Sequence, residues 1–365
     1  MNKLVIIGNG FDLAHGLKTS YKDFILWHIN KVFYQHGKNK ESNLIKIDSN
    51  LPYSKISTID DLKRYKGYND NISRFKIEGK YDFVNHILKN IETYNWVDIE
   101  KEYYDRLIEI YKPFEKYESY ETKDLNNLNK SLYLISTDLQ EYLLSNVSGK
   151  AKRNHEIYEL FYEIGNSENY LNFDINKTTM MVLNFNYTDT FQLYFDKQTF
   201  PQHVGNYIHG KLDDSKNHII FGYGDETDEY YEKLENLKDN EFLKHMKSFA
   251  YLQTPNYKDL FKFLDQDHLE EDKREKFDVY IMGHSCGVSD RLLFTHILEH
   301  PLLNSVKLYY YQRKDETNDF YEKTQELSRH FRKDAKHKMR KCIIPFSESK
   351  PLAKSKPLSI LNPQN

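Results

Sequence analysis

Four short segments hold the side chains from which a reaction can be built. Tyr207-Ile208-His209-Gly210 offers an imidazole, which titrates near neutrality and is the commonest general base. Asn184-Phe185-Asn186-Tyr187-Thr188-Asp189 sets two amides close to a carboxylate. Thr188 or Asp189 would also serve as a helix cap, which leaves the asparagines unexplained. Gly8-Asn9-Gly10-Phe11-Asp12 joins a G-x-G turn to a second carboxylate. Such a turn brings backbone N–H groups up to phosphate at a helix N-terminus, where the dipole also favours negative charge. The full dinucleotide fingerprint needs a third glycine at position 13, where Leu13 stands. The last segment, Gly283-His284-Ser285-Cys286-Gly287-Val288-Ser289-Asp290, adds an imidazole, two hydroxyls and a carboxylate. It contains the G-x-S-x-G spacing of a hydrolase nucleophile elbow. That chemistry needs a carboxylate and then a histidine after the serine; His296 and His330 are available, but neither sits in a marked motif. Ser289 or Asp290 alternatively caps the helix that comes next.

These segments need strands to end on them. Apolar, β-branched runs stand at Lys3–Ile7, Thr179–Leu183, His203–Ile208, His218–Phe221, Val279–Met282, Val306–Tyr311 and Cys342–Ile344. Runs without alternation predict strands covered on both faces. Several are followed by helical patterns, which predicts a doubly wound parallel sheet, an α/β Rossmann-like fold. Nine of the 14 glycines fall in three short stretches around these motifs, and the chain between them reads as helix. Phe83, Val84, Ile87, Leu88 and Ile91 make one apolar stripe, and Leu132, Ile135, Leu139 and Leu143 another. The expected organisation is one nucleotide-binding core over residues 1–345. It carries a helical insertion lobe at 21–172, a polar loop around 36–80 inside that lobe, and a second helical insertion at 226–272. Residues 346–365 read as a C-terminal tail.

Composition narrows the partners. A formal charge of −3 gives no global attraction to nucleic acid or to an anionic membrane, although local basic patches keep nucleic acid open. Two cysteines exclude a disulfide framework and a four-cysteine metal site, and suit a reducing cytoplasm. The longest leading apolar run, Leu4-Val5-Ile6-Ile7, is far short of a membrane span. The 30 Tyr and 22 Phe are expected chiefly as core packing.

Taken together, the motifs resemble the AbiH family of bacteriophage abortive-infection proteins. The resemblance is carried by Ile7-Gly8-Asn9-Gly10-Phe11-Asp12-Leu13-Ala14-His15-Gly16-Leu17 with Thr19-Ser20-Tyr21, by Asn95-Trp96-Val97-Asp98-Ile99-Glu100, by Asn184-Phe185-Asn186-Tyr187-Thr188 and by Gly283-His284-Ser285, and it spans about residues 3 to 312. It implies a role in phage resistance, set off by a phage-derived trigger. The order of motifs is also similar to that of sirtuin-like NAD-cleaving defence effectors. That similarity implies NAD as substrate, with Gly8, Asn9, Gly10, Phe11 and Asn184 on the nucleotide and Asn186, His209 and Asp12 at the chemistry. Gly283, His284, Ser285 and Asp290 would close the far side. Asn9 and Asp12 stand where the sirtuin turn has small residues, and Thr188 where an Asp follows Asn-Tyr. A sirtuin deacylase carries a four-cysteine zinc module that this chain cannot build, so neither zinc nor deacylation is expected. The reaction implied is hydrolysis of the N-glycosidic bond between nicotinamide and ribose, whose oxocarbenium-like state calls for a group that stabilises positive charge and a positioned water. Two alternatives stay open. One is a toxin degrading another nucleotide or a nucleic-acid end, with a metal gathered by Asp98, Glu100 and Asp12, although carboxylates two apart on a helix do not share a face. The other is a non-catalytic nucleotide-binding sensor whose helical lobe meets a phage component or joins copies of the chain in a homo-oligomer.

Overall fold

Lys3–Ile7 sets aliphatic side chains side by side with no polar alternation after Lys3, and it becomes the central strand of a sheet buried on both faces. The computed structural model describes residues 1–35, 39–165, 180–195, 203–266 and 268–353. In chain order the strands are β1 (Asn2–Ile7), β2 (Asn39–Glu41), β3 (Ile45–Ser49), β4 (Phe75–Gly79), β5 (Met180–Asn184), β6 (His203–Tyr207), β7 (Phe277–Met282) and β8 (Leu303–Tyr309). The α-helices are α1 (Asn9–Ala14), α2 (Tyr21–Phe33), α3 (Ile59–Lys66), α4 (Asp82–Tyr94), α5 (Ile99–Tyr117), α6 (Thr122–Asn146), α7 (His155–Gly165), α8 (Glu229–Asn236), α9 (Lys247–Ala250), α10 (Asn256–Asp265), α11 (Arg291–Leu298), α12 (Phe320–His330) and α13 (Lys336–Cys342). Two compact units divide them. One draws on Met1–Leu17, Gly149–Ile220 and Tyr251–Asn365, the other on Lys18–Ser148 and Phe221–Ala250.

In the first unit five strands pair in parallel throughout, in the order β6-β5-β1-β7-β8. The chain begins at the centre, steps outward through β5 and β6, then crosses back to lay down β7 and β8. Strand order therefore reverses between β1 and β7, and their carboxyl ends flank the place where open α/β sheets bind ligands. This is the doubly wound α/β fold that the strand pattern predicts. Ile157, Leu160, Phe161 and Ile164 of α7 recur at helical spacing and join Val5, Met180, Val182 and Met282 in one apolar cluster. Each such side chain stabilises by roughly 1.5–3 kcal/mol when buried.

Two expected strands do not form. Around His218–Phe221 the chain doubles back on the His209 turn, with Ile220 N–H donating to the His209 carbonyl at 2.8 Å and Lys211 N–H to Asn217 at 2.9 Å. These local bonds take the groups that a sheet ladder would need. Cys342 ends α13, and Ile343 makes only an isolated bridge to Val306. The expected tail also begins as fixed structure: Leu352 lies in the core cluster, and its N–H donates to the Tyr310 carbonyl. Residues 354–365 and Thr179 lie outside the described residues.

The second unit is mostly helical, but not only helical. Within the stretch expected as a polar loop, β2, β3 and β4 form an antiparallel sheet. Ile45, Ile47 and Ser49 are buried in alternation on β3, with Ile47 paired to Ile77 and Ser49 to Phe75. Helix α3 opens on a capping box between Thr58 and Asp61. The predicted stripe of α4 is buried, and that helix stops at Asn95, which takes the left-handed conformation at φ 56°. Asp98 caps α5 by accepting from Lys101 N–H. Helices α7 and α10 fall in the unit that holds the parallel sheet. Asn256 of α10, for example, bonds the Tyr207 carbonyl through its side chain and Asn206 through its own carbonyl. No described helix is long and apolar enough to cross a membrane.

Candidate active site at the carboxyl edge of the parallel sheet

All four chemistry-bearing segments begin where a parallel strand ends. After β1 and β7 the two glycine turns lock onto each other. Gly8 N–H donates to the Met282 carbonyl at 3.2 Å and Gly10 N–H to the Gly283 carbonyl at 2.7 Å. Gly283 sits at φ 72°, and a Cβ there would fall 2.1 Å from the Phe11 nitrogen. Glycine is thus required for two backbones to meet, and the two glycine amides expected on phosphate are spent inside the protein. Phe11 is fully buried against Phe161, Tyr194 and the His15 ring. Asn9 and Ser285, on the joined turns, are exposed.

The loop after β5 is shaped by its own asparagines. Asn184 accepts from Asn186 N–H at 3.1 Å and donates to the Thr188 carbonyl at 2.8 Å, while Asn186 donates to the Gly8 carbonyl at 3.0 Å. That folding carries Thr188 to Asp12, its hydroxyl donating to Oδ2 at 2.6 Å. Asp12 is 1% exposed, and among the described residues its Oδ1 has no hydrogen-bond partner. Burial raises its carboxyl from the ordinary 3.8 to about 6, against the opposing effect of the polar side chains of Thr188, Thr190 and Asn186.

A second polar group gathers around His209. Gly210, at φ 82°, lets the chain turn sharply after His209; a Cβ there would lie 2.1 Å from the His218 carbonyl oxygen. The His209 Nε2 lies 3.3 Å from Asp290 Oδ1 and 3.0 Å from the Tyr251 hydroxyl. His284 Nε2 lies 3.5 Å from the other Asp290 oxygen. Asp290 occupies the N-cap position of α11, yet its side chain makes no capping bond and faces the imidazoles instead. The Phe185 ring packs edge-on against both, with centroids 4.9 Å from His209 and 4.3 Å from His284. Helix α12 braces the turn: Lys323 Nζ donates to the His284 carbonyl at 2.7 Å, and His330 Nε2 meets the Cys286 carbonyl at 2.8 Å.

The structure thus brings Asp12 together with the Asn184–Thr188 loop, and His209 with His284 and Asp290. Thr188, read in the sequence as a helix cap, instead bonds Asp12, and Tyr251 and Lys323 complete the arrangement without a signal of their own, since a tyrosine among 30 and a lysine in a charged helix carry none. The nucleophile elbow does not appear. Positive φ falls on Gly283 and Cys286, while Ser285 has ordinary backbone. His296 pairs with Tyr257, and burial pushes the Cys286 thiol up to about 12, leaving it inert. Asp98 is committed as a helix cap. Glu100 accepts from Gly222 N–H at 3.0 Å and pairs with the buried Lys247 at 3.2 Å. Among the described residues no group of three or more His, Cys, Asp or Glu is arranged to hold a metal ion.

A five-stranded parallel sheet with reversed strand order, helices on its faces and buried ionisable groups at its carboxyl edge defines a Rossmann-like α/β protein. Over residues 4–312 the chain matches the model of the bacteriophage abortive infection AbiH family, and it belongs to that family. Its role is accordingly antiphage abortive infection. No curated protein matches it.

Proposed function

We propose that the protein acts in abortive infection by hydrolysing the N-glycosidic bond of a nucleotide, NAD in the first instance. The observation that carries this reading is Asp12. A buried carboxyl with one oxygen that no described residue bonds and a proton affinity raised to about 6 is costly to keep, and such groups cluster where they are used. Glycoside hydrolysis uses buried carboxyls of this kind to stabilise or protonate the reacting sugar. In this reading Asp12, ionised, faces the positive charge that develops on the ribose. Asn186 orients the attacking water, and His209 receives its proton. Because the Gly8 and Gly10 amides are spent, the phosphates are assigned to the exposed side chains of Asn9 and Ser285 on the joined turns.

Two measurements test the reading. His209→Ala is expected to bind NAD within about twofold of wild type and to release nicotinamide at least about 100-fold more slowly, the usual contribution of a general base. In infected cells, mass spectrometry is expected to find NAD collapsing with the wild-type protein alone. Full NAD loss with the variant removes His209 from the chemistry. Unchanged NAD alongside intact phage resistance replaces hydrolysis with nucleotide sensing.

A further inference from the structure

His209, His284, Asp290 and Tyr251 form one buried polar group, 3–7% exposed. Four such side chains pack together only when their hydrogen bonds fit one another. The geometry fixes one proton within it. Nδ1 of His284 lies 2.9 Å from the Cys286 N–H and must accept that bond, so a neutral His284 carries its proton on Nε2, facing Asp290. The turn that holds this ring is clamped by Lys323 on the His284 carbonyl and His330 on the Cys286 carbonyl. Asp290 therefore has one oxygen engaged by a fixed donor and the other directed at His209, 3.3 Å away.

We infer that Asp290 is a positioning residue shared by two histidines, and that His284, Asp290, His209 and Tyr251 work as one acid–base unit whose working end is His209. A base oriented by a third group is the arrangement that activates a nucleophile. Its chemistry rests on the hydrolytic reading above, whereas its geometry does not. In the reaction, the bond between ribose C1′ and the pyridinium nitrogen breaks with its electron pair passing to nitrogen, and nicotinamide leaves neutral. Water oxygen bonds to C1′, and its surplus proton passes to the His209 ring. The resulting imidazolium faces Asp290 until solvent takes the proton. His284 holds the second carboxylate oxygen so that Asp290 does not rotate away from His209.

The test is two-bond proton–nitrogen spectroscopy of the histidine rings in the full chain, without substrate, beside nicotinamide release from NAD. His209→Ala and His284→Gln assign the two rings. Wild-type His284 is expected to read as the Nε2–H form. Asp290→Asn is expected to shift the signals of both rings and to lower kcat at least about 100-fold with KM within about twofold. His284→Gln, which keeps a donor, is expected to retain more turnover than His284→Ala. A His284 proton on Nδ1, or a His209 ring indifferent to Asp290→Asn, overturns the unit. Absence of nicotinamide release from the wild type overturns the hydrolytic reading alone, because the ring signals are read without substrate. Should Asp290→Asn fail to fold, Tyr251→Phe removes a single hydroxyl. It is expected to shift the His209 signals, and unchanged signals there overturn the unit as well.

Discussion

At the scale of single residues, Asp12 shows how a site is held against the stability of its own fold. Its proton affinity is raised on folding, so between pH 3.8 and about 6 the folded chain binds more proton at this position than the unfolded chain. Stability at this residue is greatest below pH 3.8 and falls as pH rises through that window, reaching a penalty of about 3 kcal/mol near neutrality. Asp12→Asn removes the buried charge. It is expected to raise stability at pH 7 by about 1–3 kcal/mol, to flatten the pH dependence between 4 and 6, and to abolish turnover. Urea midpoints at pH 4.5 and pH 7 check this, and an Asn variant no more stable than wild type at pH 7 contradicts it. The motif containing Asp12 was legible in the sequence, but the use of its glycines was not. G-x-G has the same spacing whether it admits a phosphate or a second protein turn, and the Gly283 carbonyl comes from a segment far along the chain.

At the scale of elements, α12 supports the site without containing any part of it. Its Lys323 and His330 hold the His284 and Cys286 carbonyls of the β7–α11 turn, which fixes the His284 ring by fixing its backbone. Lys323→Met leaves the buried His284 carbonyl without that donor. It is expected to cost about 1–3 kcal/mol, seen as a lower urea midpoint, and an unchanged midpoint shows that the brace is dispensable. Strands β1, β5 and β7 were readable because strands buried on both faces are largely apolar, a strong signal over five or six residues. The antiparallel β2-β3-β4 sheet was not. Its strands are three to five residues long and bury only alternate side chains, so each offers at most three inward positions. The buried stripe of α4 was predicted residue by residue, because it runs for more than two turns.

On the scale of the whole molecule, the Trp96–Glu100 block illustrates the difference between a motif and a site. Glu100 belongs to the framework of the second unit, where it meets the fully buried ammonium of Lys247 and the Gly222 amide. Glu100→Ala takes the carboxylate from a buried charge and is expected to destabilise that unit by about 3–5 kcal/mol, with Glu100→Gln milder. Thermal unfolding of the two variants checks this, and equal stability of the Ala variant and wild type contradicts it.

The sequence by itself determined the parallel sheet, the apolar stripes of α4 and α6, the turns on which ionisable side chains sit, and the family. Those properties follow from periodicity and from local residue chemistry, which act over a few neighbours. Tertiary structure decided which of those side chains meet: Asp12 with Thr188, His209 with Asp290 and Tyr251, and the G-x-G turn with Gly283 rather than with open space. Such encounters join residues tens to hundreds of positions apart. They depend on strand order, because only the reversal between β1 and β7 sets these turns side by side.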